Sequence, residues 1–137
     1  MRTFAAILLA LTVVSPAAAQ SVPTERLAHE VIANQIEAFR SEDGERAYSY
    51  AAPGVKRYFP SAGAFMAMVR SGYKPVYAPQ SYSFGRYGER DDTLLQEVLI
   101  TGPEGREWAA LYTLQRQEDG SVLITSVRLA RSGLKAI

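Results

Sequence analysis

The feature that most constrains this chain is a change of hydrophobic period near residue 75. Residues 20 to 73 read as helical, and residues 76 to 130 read as strands. The second half contains "TLLQEVLIT" and "REWAALYTLQR" joined by "GPEG", then "EDGS" leading into "VLITSVRLA". Both connectors are hairpin signals, so three consecutive long strands must pair antiparallel. Helices first and an antiparallel meander afterwards predict an α+β domain, with N-terminal helices packed on one face of a curved sheet.

The helical half divides at its turn residues. Thr24 after Pro23 is a candidate N-cap, and Leu27, Ala28, Val31, Ile32, Ile36, Ala38 and Phe39 fill one arc of the first helix. Gln35 breaks the pattern, because it falls in the middle of that apolar arc. After "SEDG" a short second helix is expected at about Glu45 to Ala51, ended by Pro53-Gly54, with "VKRYF" as a brief helical turn or strand. Ser61 can cap a third helix whose face is Phe65, Met66, Met68 and Val69. Gly72 is placed as its C-cap, and Pro75 should prevent it from resuming. "VYAPQSYSFGRYG" reads as an irregular first strand.

The N-terminus has its own signature. Arg2 precedes an apolar run from Thr3 to Val14, Ser15-Pro16 breaks it, and Ala17-Ala18-Ala19 fits the small-residue rule for signal peptidase. A bilayer-spanning helix needs about 20 apolar residues, more than this run supplies. The expectation is a bacterial Sec-type signal peptide at residues 1–19 and a single periplasmic or secreted domain at residues 20–137, without a membrane anchor.

Composition removes several chemistries. The chain has no Cys and one His, which excludes thiol nucleophiles, thiolate metal sites and His-rich metal sites. Its 15 basic and 14 acidic residues are interspersed, so nucleic acid is not an expected partner. Neither metal nor cofactor is expected. Asp43, Asp91, Asp92 and Asp119 sit in turns, and Glu97 in mid-strand is read as a solvated residue of the outer sheet face. His29 falls at the edge of the apolar arc, where a half-exposed residue is the simpler reading than a general base.

The runs "VIANQIEAFRSEDGERAYSYAAP", "FMAMVRSGYKPVY" and "ALYTLQRQEDGS" resemble the bacterial family called domain of unknown function 4864, from about Val31 to Leu129. The resemblance implies a nuclear-transport-factor-2-like, cystatin-like cone, in which helices close over a curved sheet around a cavity, with no established activity. In that family the last strand often opens with Trp and carries a Gly, where this chain has Val122 and Ser126.

Two readings of the polar residues remain open. Gln35 and Tyr112 could form a structural link between helix and sheet. Alternatively Gln35, Met68, Tyr73, Tyr77 and Tyr112 line a mostly apolar ligand pocket. The expected function is therefore non-catalytic binding of a small apolar ligand or a protein partner. The alternative is a small isomerase- or dehydratase-type enzyme using Tyr and carboxylate groups in the cone. The face carrying Leu95, Leu99 and Leu111 invites a homodimer through the sheet.

Overall fold

The structure is a computed structural model that describes residues 23–132. The leader expected at residues 1–19 lies outside the described residues. Five helices come first: α1 (Thr24–Arg40), α2 (Gly44–Ser49), α3 (Pro53–Tyr58), α4 (Ala62–Gly72) and α5 (Lys74–Tyr77). Four strands follow: β1 (Ser81–Arg90), β2 (Thr93–Thr101), β3 (Glu107–Arg116) and β4 (Val122–Arg131). They form one antiparallel sheet in the order β1-β2-β3-β4, the meander that the tight turns require. Gly105 and Gly120, at φ 81° and 85°, occupy the left-handed positions of the two hairpin turns after β2 and β3.

The helices cover one sheet face. Ala28, Ile32, Ile36 and Phe39 of α1 pack with Leu94 and Val98 of β2, Ala110 and Leu114 of β3, and Val122 and Ile124 of β4. The opposite face keeps Leu95, Leu99 and Leu111 exposed at 42%, 42% and 40%. The alternation in β2 is strict from residue 94 to 100, so its inward set is Leu94, Gln96, Val98 and Ile100.

Several local boundaries differ from the sequence reading. Pro23, not Thr24, occupies the N-cap of α1, and the Thr24 hydroxyl instead accepts a hydrogen bond from Arg116 at 2.9 Å. The second helix starts at Gly44, capped by the Asp43 side chain, and ends at Ser49, before Ala51. Pro53 and Pro75 do not merely stop helices: each lies in the first turn of the next one, α3 and α5. Proline is tolerated there because the first helical N–H groups have no intrahelical acceptor. Gly72 is still helical, and Tyr73 is the C-cap of α4. Residues 76–80 belong to α5 and its exit, so β1 begins only at Ser81.

Two irregularities shape the sheet. β1 slips register between Phe84 and Tyr87, and β4 slips opposite Thr113 and Leu114, leaving Thr125 as the extra residue. Upstream of that second bulge the edge of β4 is covered. Ile124 N–H donates to the Tyr50 carbonyl at 2.9 Å, and Ala52 N–H donates to the Ile124 carbonyl at 2.8 Å. This clamp fixes where the chain enters α3 and holds that helix beside β4.

Candidate functional site

A cavity of about 520 Å³ opens between α1, α3, α4, α5 and β4. Its walls are apolar for a local reason in each element. Phe39 comes from the buried stripe of α1, Phe65 and Val69 from α4, Val76 from α5, and Ile124 and Val127 from the inward face of β4. The bulge at Thr125 sends that residue's hydroxyl to the Thr113 carbonyl at 3.0 Å, which satisfies it within the sheet. Arg57 and Tyr58 of α3 stand at the rim, and Tyr58 is 85% exposed. Among the described residues that line the cavity there is no Asp, Glu, His or Lys.

Of the five residues proposed from sequence, Gln35, Met68 and Tyr73 line this cavity, whereas Tyr77 and Tyr112 do not. Gln35 is 3% exposed, and its Nε2 donates to the Ala47 carbonyl at 3.1 Å. That bond uses one of the two N–H groups of the amide and leaves the other, with the oxygen, outside the α1–α2 contact. No described residue donates to that oxygen.

Tyr77, the last residue of α5, is half-buried outside the cavity lining. Its hydroxyl accepts from Arg70 Nε and Nη2 at 3.4 Å and faces Glu42 Oε1 at 3.5 Å, while its ring packs 5.9 Å from that of Phe39. It ties the short helix α5 to the turn after α1. Tyr112 is on the helix-facing side of β3, as the alternation predicts, and is completely buried. Its hydroxyl has no hydrogen-bond partner among the described residues. Burial, with the Tyr82 phenol nearby, pushes its ionisation well above the ordinary tyrosine range. A Gln35–Tyr112 link between helix and sheet is not formed: Gln35 joins α1 to α2 instead.

Glu97 lies on the outer face, where it pairs with Arg86 at 3.2 Å. The Arg86 side chain, and then its backbone N–H, hold the carboxyl below its ordinary value. His29 is half-buried and stacked on Phe84 at 3.9 Å between ring centroids. It belongs to a polar cluster that the sequence reading missed, centred on the fully buried Gln96. The signal was present: Gln96 shares the parity of Leu94, Val98 and Ile100, which places an amide in the core. This cluster is separate from the cavity, none of whose lining residues it contributes. The described residues hold no group of three metal-ligating side chains.

Residues 23–137 match the family described as "Domain of unknown function (DUF4864)". The chain belongs to that family. The fold of this DUF4864 member is similar to that of an NTF2-like protein of unknown function from Shewanella baltica OS155. The two are 10% identical over 82% of this chain and 100% of that one, with a TM-score of 0.56. NTF2-like proteins of unknown function from Burkholderia xenovorans LB400 and Burkholderia pseudomallei K96243 also match. They are 13% and 14% identical, cover 80% and 77% of this chain and 87% and 91% of their own, and have TM-scores of 0.49 and 0.41. No curated protein matches the sequence. The helices-on-curved-sheet architecture is thus the NTF2-like one, and the likeness speaks to fold alone.

Proposed function

We propose that this DUF4864 domain is an exported, non-catalytic binding protein whose cavity takes a small, largely apolar ligand. The observation that carries the reading is the chemistry of the walls: about 520 Å³ lined mainly by aromatic and aliphatic side chains, with the Gln35 amide, a few hydroxyls and Arg57 as the polar groups and no carboxylate or imidazole among the described residues. That size and make-up suit small-molecule sites. Acid–base chemistry of the isomerase kind needs a general base within reach of the substrate. Glu97 faces away on the outer side of the sheet, and His29 is engaged with Gln96.

The test is titration with N-phenyl-1-naphthylamine, a neutral dye that fluoresces in apolar sites, alongside native mass spectrometry of protein purified from the periplasm. Saturable binding at one site per chain, or a retained small molecule, is the expected result. Absence of both sinks the proposal. Export is checked in the same preparation, because a cleaved chain starts at Gln20 and has the corresponding mass.

A second copy of the chain is the partner proposed for the outer sheet face. Leu95, Leu99 and Leu111 lie on adjacent strands, with Ala109 opposite Leu99. Sedimentation at tens of micromolar should show a dimer that Leu111→Glu dissociates. A monomer at that concentration rules this partner out.

A further inference from the structure

We infer that two copies of this chain pair through the open edge of β4, antiparallel about Leu129, to make one continuous sheet. The contact is separate from both the cavity and the outer sheet face, and it stands or falls without them.

The edge is open along a defined window. β4 is the last strand of the sheet, so no strand lies beyond it. Its beginning is closed, because the Ile124 N–H donates to Tyr50 and the Ile124 carbonyl accepts from Ala52. At its end, Ser132 N–H donates to the Glu107 carbonyl at 3.2 Å. Backbone groups alternate in direction along a strand, so Ser126, Arg128 and Ala130 also face β3. The N–H and C=O groups of Val127, Leu129 and Arg131 therefore point to the open edge. Among the described residues, no backbone group outside the sheet is hydrogen-bonded to them. Such a row is a template for another strand. The opposite edge, β1, is interrupted by its register slip between Phe84 and Tyr87.

The side chains of this window select the register. A two-fold axis through Arg128 sets that residue opposite its own copy, and like charges directly opposite oppose pairing. An axis through Ala130 leaves Val127 without a partner. An axis through Leu129 engages all three outward-pointing residues: Leu129 meets the partner's Leu129, and Val127 meets the partner's Arg131. It also sets Arg128 opposite the partner's Ala130, so no like charges face each other. The window is thus its own complement.

The edge also has room for an added strand. A space of about 480 Å³ lies along it beside the end of α4, bordered by Gly72, Tyr73 and residues 126–129. Val127 and Leu129 share the helix side of the sheet with Tyr112 and Ala110 opposite them, yet are only half-buried. Side chains alternate across a strand, so the partner's Leu129 comes to the same side and covers them.

The experiment exploits a chain that has no Cys, in which a single introduced thiol can bridge only two copies. Leu129→Cys and Ala130→Cys are each made with Leu95→Glu, which charges the outer face away from Arg128. Both are oxidised with copper–phenanthroline at about 300 µM protein, a concentration suited to a small interface. In the inferred register the two introduced thiols at position 129 sit on Cα atoms about 5.5 Å apart, within disulfide reach. Those at position 130 are diagonal neighbours at roughly 8 Å, beyond it. Leu129→Cys should therefore cross-link about tenfold faster or more. Ala130 is exposed, so its charge variants leave the fold alone. By sedimentation in the same background, Ala130→Glu should tighten the dimer about fivefold by meeting the partner's Arg128, and Ala130→Arg should weaken it by a similar factor. No cross-link at Leu129→Cys, equal rates at the two positions, or a dimer indifferent to the charge at position 130 overturns the inference. Association seen in the wild type but lost with Leu95→Glu also overturns it, and assigns the contact to the outer face.

Discussion

His29 Nε2 lies 2.8 Å from Gln96 Oε1, joining the middle of the first helix to the second strand across the core. The amide's other end is equally committed: Nε2 donates to the carbonyls of Gly85 at 3.4 Å, Arg86 at 3.3 Å and Glu97 at 2.7 Å. Gly85 and Arg86 are the residues at which β1 slips register. A buried side chain therefore satisfies the carbonyls that the bulge takes out of the ladder, and the imidazole N–H satisfies that side chain in turn. The partners of Gln96 Nε2 fix its oxygen as the acceptor, so His29 carries a proton on Nε2.

Gln96→Leu should therefore destabilise the domain by about 1–3 kcal/mol, the cost of stranding buried polar groups. His29→Ala removes one partner at a half-exposed position and should cost less. Urea unfolding of the two variants checks the order. Equal costs, or a neutral Gln96→Leu, would mean that the bulge carbonyls do not depend on this amide.

Tyr112 gives the opposite expectation from a similar burial. Its hydroxyl is fully enclosed without a partner among the described residues, so Tyr112→Phe should be neutral or stabilising by up to about 1 kcal/mol. The pH dependence has a definite sign. The folded state holds the phenol neutral above the pH at which an unfolded tyrosine ionises, so its contribution is complete below about pH 10 and lost as pH rises beyond it. Wild-type stability should fall relative to Tyr112→Phe by about 1.4 kcal/mol per pH unit above that point. Parallel urea curves at pH 8 and pH 11 provide the measurement, and an unchanged difference between the two would refute it.

These two residues also show what the sequence made legible. The switch of period near residue 75 and the two hairpin signals were enough for the α+β order and the antiparallel meander, because strand alternation and turn chemistry are local. Gln35 is legible as an amide inside an apolar arc, whereas Gln96 is passed over in the sequence although it shares the parity of Leu94, Val98 and Ile100. Their partners were not legible. Whether Gln35 meets Tyr112 or the Ala47 carbonyl depends on how α2 folds back on α1, a contact between residues 12 apart. The bulge that sets the cavity wall is likewise tertiary, since nothing in "VLITSVRLA" marks Thr125 as the extra residue. Tyr77 does not line the cavity: residues 74–77 form α5 instead of a strand, and its hydroxyl is engaged by Arg70 and Glu42.

Glu97 and Gly85 should be energetically coupled across the outer sheet face. A Cβ on Gly85 would stand 2.5 Å from Glu97 Oε1, so Gly85→Ala must displace the carboxylate from the Arg86 N–H and guanidinium. Because Arg86 is 92% exposed, the lost pair is worth less than about 1 kcal/mol. Gly85→Ala should cost measurably less in a Glu97→Ala background, which a double-mutant cycle reads directly. The Arg86 contacts hold the Glu97 carboxyl below its ordinary range, so their stabilisation is complete above about pH 4.3 and fades as pH falls below it. The difference between wild type and Glu97→Gln should shrink in that acid window, and an increase there would contradict the ion pair.

Met68 offers a way to separate the cavity from the fold. It is half-buried on α4, lines the cavity, and is not among the fully enclosed residues of the core. Met68→Trp places a larger ring where the structure has open volume, so the substitution adds apolar contact without displacing a close-packed neighbour. It should keep or raise the thermal midpoint, while weakening N-phenyl-1-naphthylamine binding by about tenfold or more through loss of the space the dye fills. Met68→Ala enlarges the same space and should retain dye binding at some cost in stability. Calorimetry and dye titration on the same samples decide the matter. If Met68→Trp loses stability and binding together, the residue is part of the packed core and the cavity wall lies elsewhere; if it keeps both, the dye is binding outside this cavity.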